Sequence, residues 1–267
     1  MKKRNRKSKY FKIVIEKNTI FLLIILLILL IIMTMCLLMS KQNDEEEKSI
    51  IVSSNVPIKE QEDILIKEEK KIDSKTSDWN LILVNKKNNV PEDYNVNLSE
   101  IEYGYLVDSR IEQDLRNMLS DARKQGLNPM ICSAYRTQKK QEELYKAKTN
   151  EYIWDGYDEE KAKDLASYWV AIPGTGEHQT GLAVDIVSHD YQILDERQEQ
   201  TEVQQWLIEN SYKYGFVLRY PTEKKDLTMI NYEPWHYRYV GKENAKFMRE
   251  KNWCLEEFIE YLKSFDD

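Results

Sequence analysis

The longest apolar run of the chain lies near its start. It extends from Ile20 to Met39 with almost no polar residue. As a helix with a rise of about 1.5 Å per residue, this run would span roughly 30 Å, the thickness of the hydrocarbon core of a bilayer. The pattern therefore predicts one transmembrane helix over residues 20–39.

The residues around this run predict its orientation. Residues 1–19 hold a cluster of lysines and arginines, and an acidic segment follows residue 43. Basic flanks stay on the cytoplasmic side, so we expect a single-pass protein of the cell membrane with a cytoplasmic N-terminus and an extracellular domain. A cleaved signal peptide is the alternative, but the run exceeds the ~7–15-residue core of such peptides. Cys36 follows Met33, Thr34 and Met35 rather than small residues, which argues against a lipoprotein signal.

Polar and charged residues dominate the next segment, residues 40–77. Lysine, glutamate, aspartate and serine are frequent there and aromatic residues are few. Such a composition cannot bury a core, so this segment is interpreted as a charged stalk. Apolar residues return at Trp79, and a folded domain is expected over residues 78–267.

Within this domain, apolar residues recur at helical spacing in several segments, some of which begin at a residue that can cap a helix. Predicted helices run from Asp108 or Ser109 to about Gln125, from Thr137 to about Thr149, from Asp158 through Trp169, and over Glu202–Tyr214, Glu243–Glu250 and Leu255–Ser264. Predicted strands cover Trp79–Asn85, Pro129–Tyr135, Leu182–Val187, Phe216–Arg219 and His236–Val240. Because strands and helices do not alternate regularly, the expected class is α+β, with a small, mainly antiparallel sheet flanked by helices.

Net charge and cysteine content exclude some classes of function. The net charge is −7, with the acidic excess downstream of the apolar run, so nucleic-acid binding is not expected. Cys132 and Cys254 could pair in an oxidising exterior, but we interpret them as buried free thiols, and no cysteine has the spacing of a metal ligand. No segment indicates an obligate protein partner.

Two of the three histidines lie in short segments that also carry carboxylates. His178, Asp185 and His236 offer the nitrogen and oxygen ligands that zinc accepts, and three protein ligands leave a fourth position open, as in catalytic zinc sites. Glu233 is close enough in sequence to act as a general base. The third histidine, His189, is interpreted as an exposed turn residue. From spacing alone, ordinary core or surface roles for these residues stay open.

The spacing also predicts local geometry. His178 and Asp185 are seven residues apart, so on one continuous strand they would face opposite sides. Glu233 and His236, three apart, have the same difficulty. We therefore expect irregular backbone at both segments, so that the side chains can meet at one metal ion.

Four segments together resemble a known family. They are Gly-Glu-His-Gln-Thr-Gly-Leu-Ala-Val-Asp at 176–185, Glu-Pro-Trp-His-Tyr-Arg-Tyr-Val-Gly at 233–241, Ser-Ala-Tyr-Arg-Thr at 133–137 and Gly-Phe-Val-Leu-Arg-Tyr-Pro at 215–221. This combination is similar to the VanY-type D-alanyl-D-alanine carboxypeptidases, zinc peptidases related to VanX and to L,D-carboxypeptidases. The resemblance implies the small α+β fold shared with hedgehog-type domains.

The resemblance also implies roles for individual residues. His178, Asp185 and His236 match the zinc ligands, Glu233 the catalytic base, and Arg136 an arginine that steadies charge on the substrate carbonyl. Positions near the substrate are matched by Ser133, Tyr135 and Gln141. One departure is Gly176, where many relatives carry serine; another is Met229, where glycine is common.

The expected function is therefore a membrane-anchored zinc D,D-carboxypeptidase. It would remove the terminal D-Ala from peptidoglycan pentapeptide stems. The alternatives are an L,D-carboxypeptidase that acts on tetrapeptide stems, and a cell-wall-binding domain that holds zinc without turnover.

Overall fold

The computed structural model describes residues 72–265. The basic segment 1–19, the predicted transmembrane helix over 20–39 and most of the predicted stalk lie outside these residues. Within residues 72–265, no helix is long and apolar enough to cross a membrane. Contacts with the domain begin before the predicted start at Asp78, because buried Ser74 donates a hydrogen bond to Asn244 over 2.7 Å.

The described part of the chain contains two small antiparallel sheets. In the first, β1 (Leu98–Glu100) pairs with β2 (Leu106–Asp108). The second has the order β3-β4-β6-β5, with β3 at Pro129–Ser133, β4 at Ala183–Ser188, β5 at Phe216–Leu218 and β6 at His236–Tyr239. Every neighbouring pair in it is antiparallel. The predicted α+β class is confirmed.

Helices flank the larger sheet. They are α1 (Glu112–Lys124), α2 (Gln138–Trp154), α3 (Glu159–Ala166), α4 (Glu202–Asn210), α5 (Lys225–Thr228), α6 (Lys242–Lys251) and α7 (Leu255–Lys263). Short 3₁₀ turns lie at Trp79–Leu81, Glu177–Thr180, Glu196–Gln200, Ser211–Tyr214 and Thr222–Lys224. Two predicted caps are confirmed: Thr137 accepts a hydrogen bond from the Lys140 N–H, and Asp158 accepts one from the Lys161 N–H.

Several local predictions are wrong. The helix predicted from Asp158 through Trp169 ends at Ala166, and the helix predicted to end at about Thr149 runs to Trp154. The segment Trp79–Asn85 is a 3₁₀ turn and a loop rather than a strand, since the Asn80 and Ile82 carbonyls accept hydrogen bonds from the buried Arg238 guanidinium instead of a neighbouring strand. Asp108 and Ser109 do not cap α1, because the Asp108 carboxylate pairs with Arg110. The helix predicted over Glu202–Tyr214 ends at Asn210 and continues as a 3₁₀ turn.

The main core lies on one face of β4 and β6. Val184, Ile186 and Tyr237 pack there with Leu115 and Leu119 of α1. Because successive side chains of a strand point to opposite faces, Asp185 and His236 are placed on the other face. A second apolar cluster joins α6 and α7 to Leu81.

The two described cysteines are free thiols, as expected. Cys254 is buried and Cys132 is half-buried. Cys36 lies outside the described residues.

Candidate metal centre and active site

The register of the larger sheet brings two predicted ligands together. Asp185 of β4 pairs directly with His236 of β6, and Ser133 of β3 pairs with Asp185 on the other side. Directly paired residues have their side chains on the same face of a sheet. The Asp185 Oδ1 atom lies 3.0 Å from His236 Nδ1 as a result.

The third ligand candidate reaches this point from a turn. His178 lies in the 3₁₀ turn Glu177–Thr180, which ends at Gly181 with a φ of 74°. Gly181 is required there, because a Cβ atom would approach the Asp108 backbone nitrogen to 2.9 Å. On the other motif, Glu233 and Pro234 lie in a turn just before β6 begins. The predicted irregularity at both motifs is confirmed.

The donor set and its orientation fit a metal ion. One ligand atom from each of His178, Asp185 and His236 lies within 4.8 Å of the others, and all three residues are buried. His178 Nδ1 lies 2.8 Å from the Ala134 carbonyl, so it carries the proton and Nε2 faces Asp185 Oδ2 at 3.2 Å. Two imidazoles and a carboxylate are ligands that zinc takes in catalytic sites.

Burial and charge set the protonation of these residues. Burial opposes ionisation of Asp185, but His178, His236 and Arg136 outweigh it and hold its pKa well below the usual range. Burial, helped by Arg136, lowers the pKa of His178 to about 4. For His236, hydrogen bonds to Asp185 and Glu177 outweigh burial and raise the pKa to about 9. Asp185 is thus a carboxylate, the form that binds metal.

Glu233 lies beside the ligand group with few charge-stabilising partners. Its Oε2 atom is 3.8 Å from His236 Nδ1, and the residue is only 6% exposed. Burial raises its pKa to about 8, although His236 and Arg136 favour the charged form. A carboxyl group with a pKa near neutrality can both accept and donate a proton.

Arg136 is fixed at the edge of the same group. Its Nη2 atom donates to Asp185 Oδ2 over 2.7 Å and its Nε atom donates to Ser133 Oγ over 2.8 Å. Its backbone N–H donates to the His178 carbonyl, which ties the two segments together. Within the described part of the chain, Nη1 has no hydrogen-bond partner and stays available to a ligand.

A cleft of about 250 Å³ opens onto these side chains. Its wall includes His178, Asp185, His236, Glu233, Arg136, Gln141, Gly176, Lys148 and Trp169. Gln141 donates to the Ala171 carbonyl, while its Oε1 atom is buried without a partner in residues 72–265. Ser133 lies beneath Arg136, and neither Ser133 nor Tyr135 is among the described residues of the wall. Their predicted roles near the substrate stay predictions.

His189 has a side chain 57% exposed and is a turn residue, as predicted. Sequence reasoning missed Glu177, Arg219 and Arg238. Both arginines pair with Glu177, which lies beside His236. The sequence signal that could have indicated buried ion pairs is a charged residue within an apolar strand segment, since Arg219 directly follows β5 and Arg238 lies within β6.

Comparisons with known proteins agree with this geometry. Residues 104–242, just over half of the chain, match the family model described as VanY: D-alanyl-D-alanine carboxypeptidase. A "D-alanyl-D-alanine carboxypeptidase" of Enterococcus faecalis (strain ATCC 700802 / V583) is 44% identical over 182 residues, which span 68% of this chain and 66% of that relative.

The similar solved structures include the following two. One is a variant of the vancomycin resistance D,D-pentapeptidase VanY in complex with Zn(II). It is 44% identical in sequence, the alignment covers 68% of this chain and 99% of that chain, and the TM-score is 0.63. The other is the LdcB LD-carboxypeptidase. It is 36% identical in sequence, the alignment covers 72% of this chain and 92% of that chain, and the TM-score is 0.57. The zinc relative and the ligand group together confirm the prediction of a zinc enzyme. The chain belongs to the VanY D-alanyl-D-alanine carboxypeptidase family.

Proposed function

We propose that the chain is a zinc D,D-carboxypeptidase that removes the terminal D-Ala from peptidoglycan pentapeptide stems. The observation that supports this most is the ligand group of His178, Asp185 and His236 with Glu233 buried beside it in one cleft. The likeness to a D,D-pentapeptidase that holds Zn(II) supports the choice of substrate and ion.

In this proposal His178, Asp185 and His236 hold the ion. Zn²⁺ bound there supplies Lewis-acid chemistry, which polarises a carbonyl and makes water a better nucleophile near neutral pH. Glu233 accepts the proton that the attacking water loses and returns it to the amine of the departing D-Ala. Its buried position in the cleft, beside the ligand group, suits both steps.

Arg136 stabilises the negative charge that develops on the carbonyl oxygen. Two of its nitrogens are held by Asp185 and Ser133, which leaves Nη1 oriented without a cost at the moment of reaction. Gln141 offers its Oε1 atom as an acceptor for a substrate N–H, because a buried oxygen without a partner gains a hydrogen bond when a donor binds.

The protein is proposed to act at the cell surface, anchored by residues 20–39. The support is the apolar run with basic residues before it, which predicts an outward-facing domain on a stalk. Protease treatment of intact protoplasts tests this: the domain should be digested from outside while residues 1–19 stay protected. Protection of the domain until the membrane is lysed would contradict it.

A second candidate, L,D-carboxypeptidase action on tetrapeptide stems, is favoured by the likeness to LdcB. The full-length, zinc-loaded chain is therefore incubated separately with muropeptides that carry pentapeptide stems ending in D-Ala-D-Ala and with tetrapeptide stems. Mass spectrometry identifies the products. Loss of one alanine from the pentapeptide alone supports the proposal, and loss from the tetrapeptide alone supports the second candidate.

Two controls make this experiment decisive. The Glu233→Gln variant shows whether cleavage belongs to this site, and zinc analysis of the same sample shows that metal is present. No cleavage of either substrate by the zinc-loaded wild type would contradict both candidates and favour a non-catalytic cell-wall-binding domain.

A further inference from the structure

A buried cluster of charged residues contacts the ligand group at the Nε2 atom of His236. Glu177, Arg219 and Arg238 are each at most 1% exposed. Taking charges out of water costs several kcal/mol per ion unless each charge is paired and hydrogen-bonded. A cluster kept at such a cost beside a metal ligand calls for a role beyond filling space.

Each oxygen of Glu177 has a separate task. Oε1 accepts hydrogen bonds from Arg219 Nε and from Arg238 Nη1, both over 2.8 Å. Oε2 lies 3.3 Å from His236 Nε2. Because Oε2 is a carboxylate oxygen, it accepts, and Nε2 carries a proton. Nδ1 likewise donates to the Asp185 carboxylate in the metal-free protein, and a metal ion at Asp185 would displace that proton while Glu177 keeps the one on Nε2.

This contact decides which nitrogen of His236 can bind a metal ion. With Nε2 protonated and turned toward Glu177, Nδ1 faces Asp185 Oδ1 at 3.0 Å and the cleft. We propose that Glu177 is a positioning residue that orients His236 and holds its Nδ1 atom ready for the metal ion.

The two arginines that pair with Glu177 are themselves held by elements outside the segment that matches the family. Glu256 of α7 accepts two hydrogen bonds from Arg219, over 2.8 and 2.7 Å, and one from Asn85. Arg238 donates to the carbonyls of Asn80 and Ile82. These partners lie before residue 104 or after residue 242, the limits of the family match. The flanking segments thus contribute to metal geometry through Glu177.

This inference rests on the proposed function, because it concerns the same metal site. Zinc binding measured without substrate distinguishes a failure of this inference from a failure of the proposed function. A wild type that binds zinc at this site but cleaves nothing would refute the proposed function and leave the role of Glu177 open to measurement.

The Glu177→Gln variant tests the contact most directly. Two arginines donate to Oε1, so the amide oxygen of glutamine is held on their side and the amide NH₂ faces His236. Two donors would then meet, and His236 avoids this by moving its proton to Nδ1, the atom that should bind zinc. We expect zinc affinity, measured by chelator competition on the full-length chain, to fall about 10–100-fold.

The Glu256→Gln variant acts one step further out and guards against a folding failure of Glu177→Gln. It weakens the hold on Arg219 without touching His236, and we expect zinc affinity to fall about 2–10-fold, a smaller effect than at a direct ligand partner. The matched control is Glu260→Gln on the same helix, whose carboxylate-bearing side chain is 77% exposed; its zinc affinity should equal that of the wild type.

Melting of the metal-free variants separates positioning from stability. If both variants melt at lower temperature but bind zinc as tightly as the wild type, the cluster only stabilises the fold and the inference is wrong. A loss of zinc affinity in the order Glu177→Gln, then Glu256→Gln, with Glu260→Gln unchanged, supports it.

Discussion

Two buried glutamates lie near different nitrogens of the same histidine ring and have opposite properties. Glu177 faces His236 Nε2, and Glu233 lies 3.8 Å from Nδ1. Burial opposes the charge of both. Arg219 and Arg238 outweigh burial at Glu177 and lower its pKa, whereas weaker partners leave the pKa of Glu233 raised to about 8. The environment, not the residue type, separates a fixed charge from a group that exchanges protons.

The same contrast extends to the regions around them. On the Nε2 side of His236, Arg219, Arg238 and Glu177 have their charges paired. On the cleft side, Arg136 keeps Nη1 without a hydrogen bond among residues 72–265, and Gln141 keeps a buried oxygen without one. The paired charges around Glu177 therefore fix the orientation of His236, whereas Arg136 and Gln141 in the cleft can still form hydrogen bonds with a substrate.

The largest expected effect comes from removing a ligand that serves the whole site. The His178→Ala variant should lose bound zinc and, with it, at least about 10³-fold in cleavage rate, because the Lewis acid is gone. Metal analysis and muropeptide cleavage are measured on the same sample. His189→Ala, at the exposed histidine, is the matched control. Stoichiometric zinc in His178→Ala would refute the ligand assignment.

The next effect separates the two glutamates. Glu233→Gln keeps the size of the side chain but cannot accept a proton, so cleavage should fall about 10²–10⁴-fold. Zinc affinity should stay close to that of the wild type, unlike the result expected for Glu177→Gln. Turnover within a few-fold of the wild type would remove Glu233 from the role of base.

Acid should weaken the paired region through Glu256. Burial opposes its ionisation, but Arg219 outweighs burial and lowers its pKa from the usual 4.5. A lowered pKa adds stability that is fully present above about pH 4.5 and is lost as the pH falls through the folded-state value. The wild type should exceed Glu256→Gln in unfolding free energy by about 1–3 kcal/mol at pH 7.

Denaturant unfolding of both proteins across pH 3–7 checks this. The difference between them should shrink as the pH drops below about 4.5, because the carboxylate becomes protonated first in the unfolded chain and, at lower pH, in the folded protein. A difference that stays constant down to pH 3 would show that the ion pair with Arg219 contributes nothing.

The smallest effect concerns the cleft wall at Gly176. A Cβ atom there would lie 3.4 Å from Gln141 Cδ and 3.5 Å from Ala171 Cβ, and the φ of −99° suits any residue. Gly176→Ser should therefore fold normally and lower KM for stems ending in D-Ala-D-Ala about 3–10-fold through one hydrogen bond. Gly176→Ala is the control, and an equal KM change in it would exclude a role for the hydroxyl.

The sequence was sufficient for the parts whose signals are local. The caps at Thr137 and Asp158 follow from residue type and spacing. Donor chemistry within two short motifs made His178, Asp185 and His236 candidate ligands, and the family resemblance singled them out. The register of β4 with β6 brings Asp185 and His236 together.

Long-range partners were beyond local reasoning. Nothing near Trp79–Asn85 indicates that its carbonyls accept from Arg238, so the segment was expected to be a strand. Aspartate is a residue type that often caps helices, yet the Asp108 carboxylate pairs with Arg110 and does not cap α1. In the Glu177 cluster, Glu177 pairs with Arg219 and Arg238, which lie 42 and 61 positions away, and Arg219 pairs with Glu256, 37 positions further on. Spacing within a motif carries no information about such pairs.

The position of the bound ion tests the account most directly. Anomalous diffraction at the zinc edge, from crystals of the zinc-loaded protein, locates the ion and the atoms that bind it. We expect one peak about 2.0–2.2 Å from His178 Nε2, an Asp185 oxygen and His236 Nδ1, with Glu177 hydrogen-bonded to His236 Nε2. Zinc bound through His236 Nε2, or a peak elsewhere in the protein, would contradict the division between a paired region and a reactive one.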